Sequence, residues 1–164
     1  MPNNSITLDE KSQTMLNFLQ TCPAIQNNPL FFNFGNIENN SAQVITRSDD
    51  VSLQKPYIDG SVFKRYTFSI DTFKSVAYNP VVSSATDENL EDFTQAQEIL
   101  NWIIAQNRAS NFPDFPSTCT IEEMKPLTTK PELVGVDTSK NPHMAIYRIS
   151  VQIDYIDTSE CIWC

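Results

Sequence analysis

Four cysteines, one histidine and three glycines narrow the chemistry open to this chain of 164 residues. Cys161-Ile-Trp-Cys164 has the spacing of a redox pair or of half a zinc site. Zinc needs two further ligands, and Cys22, Cys119 and His143 stand at unrelated spacings. A thioredoxin-like pair should open a helix after a strand, so the plainer reading is a reduced tail. His143 follows Pro142; as a base it would need a nucleophile and an orienting carboxylate, and Asp114 and Asp137 are not placed by spacing. It reads as a surface histidine. Glu88, Glu91 and Asp92 offer paired carboxylates, but a helix start explains them fully. Glu122-Glu123 reads as solvated charge. Gly35, Gly60 and Gly135 are too scattered to cradle a phosphate. They also cannot write a nucleophile elbow. No catalytic centre, metal or cofactor is expected.

The remaining polar pattern lies on a strand. Arg148, Ser150, Gln152 and Asp154 alternate with Tyr147, Ile149, Val151, Ile153 and Tyr155. A solvated sheet face is the plain reading of such a stripe; a subunit contact or channel lining is the alternative, because regular polar spacing offers a repeating surface to neighbours. Asp49, Asp50, Lys130 and Asp137 sit in long polar connections and join the stripe as contact candidates.

These residues need elements to position them. Thr7 and Glu10 form a capping box, and Leu8, Met15, Leu16 and Leu19 follow at helical spacing to about Gln20. Pro23 stops that helix. Leu30 to Ile37, rich in phenylalanine (Phe31, Phe32, Phe34), predicts a strand, more core than ligand platform. Asn39-Asn40-Ser41 predicts a turn, and Ala42 to Arg47 the returning strand. Asp49 to Asp59 reads as an irregular loop. Ser61 to Asp71 alternates cleanly, with Val62, Lys64, Tyr66, Phe68 and Ile70 on one side. The strongest helix runs from about Thr86 to Asn107, with carboxylates in its first turns and Leu90, Phe93, Leu100, Ile103 and Ile104 as its stripe. Thr118 to Met124 predicts a strand, Pro126 to Pro142 a long loop or protruding hairpin end, and Met144 to Ile156 the cleanest strand. No internal repeat is evident. The order α-β-β-β-α-β-β predicts an α+β fold: a mostly antiparallel sheet, one face wet, with one long and one shorter helix on the other.

Size and charge bound the rest. A chain this long buries about two-thirds of its surface, enough for one domain over 1–164 with a short tail from about 158. Hydrophobic residues reach 40% and aromatics 10%, which excludes a disordered composition. Eleven basic residues against twenty acidic ones give a net charge of −9, with Lys64-Arg65 the one adjacent basic pair. Phosphate-gripping nucleic-acid binding is therefore not expected. No apolar run approaches a membrane span. The N-terminus lacks the basic start and apolar stretch of a secretory signal, so a soluble cytoplasmic product with mostly reduced cysteines is expected.

The order of elements resembles a particular family. A polar N-terminal helix, a hairpin and a long strand come first. An acidic-headed helix follows, with Trp102 near its end, then the exit Asn111-Phe112-Pro113-Asp114-Phe115-Pro116. Leu133-Val134-Gly135-Val136-Asp137 and the closing strand Ala145 to Tyr155 complete the pattern. Over about residues 5 to 157 this resembles the tail terminator proteins (head–tail joining or minor capsid proteins) of long-tailed bacteriophages. The resemblance implies a structural virion protein of the tail or neck, assembled in the host bacterial cytoplasm. It implies a homo-oligomeric ring, hexameric in that family, that caps the tail tube and ends tail polymerisation. The ring's partners would be the tail-tube protein on one side and a head-side connector or stopper protein on the other. DNA would pass through without specific binding. Another phage connector or tail adaptor is the alternative, and a small enzyme or ligand-binding domain a more distant one.

Overall fold

The computed structural model describes residues 8–33, 37–46, 55–76, 94–159 and 161. In chain order these form α1 (Leu8–Leu19), β1 (Leu30–Phe32), β2 (Ala42–Thr46), β3 (Lys55–Pro56), β4 (Val62–Val76), α2 (Thr94–Arg108), β5 (Cys119–Pro126), β6 (Glu132–Asp137) and β7 (His143–Asp157). Two helices and one mixed, mostly antiparallel seven-stranded sheet place the chain in the α+β class.

At the centre lie β4 and β7, each fifteen residues long and antiparallel over their whole length. On the far side of β4, β2 pairs with residues 68–72 and β3 with residues 62–63. On the far side of β7, β5 and then β6 pair along the same strand. The sheet order is β1-β2-β4-β7-β5.

The alternation in β4 and β7 sends Tyr66, Phe68, Ile70, Ile149, Val151 and Ile153 to one face, where all are almost fully buried. The helices cover that face. Met15, Phe18 and Leu19 from α1 and Ala96, Ile99, Leu100 and Ile103 from α2 complete the core. The last four recur at i, i+3, i+4 and i+7, the stripe a helix needs against a sheet. The helices meet through Phe18 and Trp102, whose rings lie 5.0 Å apart. Phe115, in the exit from α2, stands edge-on to both Tyr66 and Tyr155. At the same end α1 is fastened by polar tips: Lys11 Nζ donates to the Tyr155 hydroxyl at 2.7 Å, and Ser12 Oγ lies 3.3 Å from the Tyr66 hydroxyl.

Several expectations are corrected. The strand expected from Leu30 to Ile37 ends at Phe32 and runs parallel to β2, so there is no hairpin there. Asn33 takes a left-handed φ of 57° and its amide donates to Val44 O, which turns the chain away. The loop read over Pro126 to Pro142 contains β6, an edge strand with a bulge between Leu133 and Gly135 that disguised its alternation. Within the loop read over Asp49 to Asp59, Lys55-Pro56 makes a two-residue strand. Proline fits there because an edge strand can spare the amide. β4 continues to Val76, five residues past its expected end. The acidic start expected for the second helix lies outside the described residues.

The core assignment makes a direct prediction. Ile149→Asp places an unpaired carboxylate against α2 and should cost about 4 kcal/mol or more, enough to abolish cooperative urea unfolding. Ser150→Ala, on the opposite face, should cost under about 1 kcal/mol.

Candidate subunit-contact face

The second face of the β4–β7 pair carries Arg65, Thr67, Ser69 and Asp71 opposite Asp154, Gln152, Ser150 and Arg148. It was expected to be wet. Instead Ser69, Asp71, Gln152 and Asp154 are each 7% exposed or less. Buried carboxylates need partners, and each has one. Arg148 Nε and Nη2 donate to the two Asp71 oxygens at 2.7 and 2.8 Å. Arg65 Nε and Nη2 donate to those of Asp154 at 2.7 and 3.1 Å. Both are fork-on-fork pairs, the geometry in which guanidinium and carboxylate bind best. Each strand supplies one arginine and one aspartate, six residues apart. The carboxylate hydrogen bond pushes each guanidinium pKa further up, against the opposing effect of burial.

Gln152 fills the middle of this face. Its Nε2 donates at 3.0 Å to both Asp154 oxygens, so that carboxylate is held by an amide as well as by Arg65. In the neighbouring strand Lys125 pairs with Glu123 at 2.8 Å on the surface. Every one of these cations is answered by a carboxylate, so the face is polar without offering surplus positive charge.

The stripe Arg148, Ser150, Gln152 and Asp154 is therefore brought onto one surface, together with Arg65 and Asp71. The other candidates are not. Lys130 is exposed in the short β5–β6 connection. Asp137 closes β6, and its Oδ1 accepts the Ser139 amide at 2.9 Å and hydroxyl at 2.6 Å. These bonds hold its carboxyl below the usual range and make it a turn residue. Asp49 and Asp50 lie outside the described residues, as do Glu88, Glu91 and Asp92.

Arg65 and Asp71 were not singled out as site residues, although a signal was present. Arg65-Tyr66-Thr67-Phe68-Ser69-Ile70-Asp71 and Arg148-Ile149-Ser150-Val151-Gln152-Ile153-Asp154 share Arg, a small hydroxyl, Ile and Asp at matching positions. Laid antiparallel, such heptads bring each arginine opposite the other's aspartate.

Cys161 is disulfide-bonded, a departure from the expected reduced tail, whereas Cys22 and Cys119 carry free thiols. Burial pushes both of these thiols up, away from the reactive thiolate. Among the described residues, no helix is long and apolar enough to cross a membrane and no group of histidine, cysteine or acidic side chains is placed to hold a metal ion.

Against known proteins, the chain matches no protein-family model, and a search of curated proteins finds no match.

Two outcomes test these pairs. Arg148→Met strands the Asp71 side chain, 5% exposed, without its cation. It should lower the unfolding free energy by about 2–4 kcal/mol, and Asp71→Asn added to it should recover part of the loss. The second concerns pH. Burial alone would raise the Asp157 carboxyl, but the Lys64 ammonium at 2.6 Å and the Ser159 amide and hydroxyl hold it below the ordinary aspartate value. A lowered pKa stabilises the fold above the unfolded-state value, about 3.9. That contribution fades as pH falls through the lower folded value. The urea midpoint should drop between about pH 4 and pH 2, less steeply in Asp157→Asn.

Proposed function

We propose that this chain is a structural subunit that assembles with copies of itself into a closed ring, the role implied by its resemblance to tail terminators. The observation carrying this reading is the composition of one sheet margin. Leu133, Val134 and Val136 on β6, and Leu127 just before it, are between 41% and 58% exposed. They form most of the exposed large apolar side chains among the described residues, the others being Tyr57 and Ile58. An apolar edge strand invites pairing, and natural proteins usually blunt or cover such edges. A head-to-tail contact from this margin to the opposite side of the next copy covers it, and closure around a rotation axis leaves none open.

In this reading the ring ends a tail tube, with the tail-tube protein on one side and a head-side connector or stopper on the other. The duct passes DNA. A net charge of −9 and cations already paired with carboxylates suit a passage that must not retain phosphates. The chain then acts in the virion, after assembly in the bacterial cytoplasm.

Native mass spectrometry and negative-stain imaging of the purified chain test this. A discrete closed oligomer is expected. Leu133→Asp with Val136→Asp should release folded monomers, because both side chains are largely solvent-facing in the single subunit. A chain that stays monomeric at all concentrations and in particles overturns the proposal, as do rings that survive both substitutions.

A further inference from the structure

We infer that the chain is an internal pseudo-dimer: two copies of one helix–strand–strand–long-strand unit, joined through the β4–β7 seam as two subunits join across a two-fold axis. The first unit comprises α1, β2, β3 and β4; the second comprises α2, β5, β6 and β7.

The matching heptads set the relation between the units. Arg65 corresponds to Arg148 and Asp71 to Asp154, an offset of 83 residues. Pairing of β4 with β7 places Phe68 opposite Val151, and these two positions differ by the same 83. A two-fold axis between them carries Arg65–Asp154 onto Arg148–Asp71.

The same offset then reproduces the outer strands, which had no part in defining it. β3 sets Lys55 opposite Phe63 and Pro56 opposite Val62. Adding 83 to the β4 positions gives Ile146 and Ala145, and these pair with Gly135 and Val136 of β6. β2 covers positions 68–72 of β4; the corresponding positions 151–155 of β7 are covered by β5, with one extra residue at its bulge. All four of these pairings are antiparallel. The connection from β3 to β4, residues 57–61, has the same length as that from β6 to β7, residues 138–142. Phe18 and Trp102, 84 apart, meet each other between the two helices. The strand β1 has no counterpart, and it lies within the longer helix-to-strand connection of the first unit.

Shared fold preference alone does not explain this. Two unrelated halves could each place strands beside a long strand, but a common offset across the seam, both outer strands and the Arg–Asp heptad requires one unit used twice. The seam is therefore a surface whose fitting partner is another copy of the same unit. Its reciprocal Arg–Asp pairs are the elements that would select that partner and fix its register, as isologous contacts do.

Circular permutation of the full chain tests the inference. Position 76, where β4 ends, corresponds to position 159, so the path from Val76 to Thr94 should match a path from Ser159 to Leu8. In the permutant Cys164 is joined to Met1 and new termini open between Ala85 and Thr86. The 77–93 connection in the parent, and the new connection in the permutant, are replaced by Gly/Ser stretches of equal length and shortened stepwise under reducing conditions. The permutant with a 17-residue connection, as in the parent, should fold with the amides of β4 and β7 protected from exchange as in the parent. The shortest length tolerated should agree between the two series to within about three residues, a span of about 10 Å. A permutant that does not fold at 17 residues overturns the pseudo-dimer. So does a larger difference in tolerated length, because equivalent units must present equivalent gaps.

Discussion

The fifteen-residue ladder between β4 and β7 is the constraint on which the remaining structure depends. Its register decides which side chains meet the helices. A slip of one residue would turn Tyr66, Phe68, Ile149 and Val151 outward and bring Arg65 and Asp154 into the core. A slip of two would keep the faces but separate each guanidinium from its carboxylate. Hydrophobic alternation guards against the first error, and the two Arg–Asp pairs against the second. Once this ladder is set, β2 and β3 on one side and β5 and β6 on the other have definite positions to add to.

Charge is handled differently inside and at the margins. Asp71 and Asp154 sit among other side chains with arginines that remain partly exposed, so each cation keeps some hydration while its carboxylate is dry. At the borders, side-chain amides stand in for missing strands. Asn33 Oδ1 accepts the Thr46 amide beside β2, and Asn107 Oδ1 accepts the Met124 amide beside β5. Both borders are thereby partly closed to foreign strands. The open remainder is β6, where the apolar side chains are.

How much of this was legible in the sequence depends on whether neighbours or periodicity set each feature. The phase of β4 and β7, the α2 stripe and the α+β class followed from alternation and helical spacing. The parallel β1 did not, because three residues carry no period and the left-handed turn at Asn33 was hidden among ordinary-looking asparagines. β6 was lost to its bulge, which breaks alternation over a six-residue strand. The polar stripe on β7 was visible, but its dryness was not. That depended on partners 77 and 89 residues away along the chain. One sequence signal was available and passed over: the heptad shared by the two long strands.

The position of β7 also has a consequence for synthesis. It is the last strand of the chain and the centre of the sheet, while its partner β4 ends 66 residues before it begins. A ribosome releases the chain from its N-terminus, so α1, β2 and β4 emerge with one flank of β4 and much of their apolar face unmatched. Closing the sheet waits for the final residues and for a long loop to be drawn in, a slow step for non-local pairing. Premature termination therefore does not yield a smaller stable version of the fold. It yields a nascent chain that exposes the apolar face of β4, a natural client for chaperones and proteases, so that only completed chains persist in the cell.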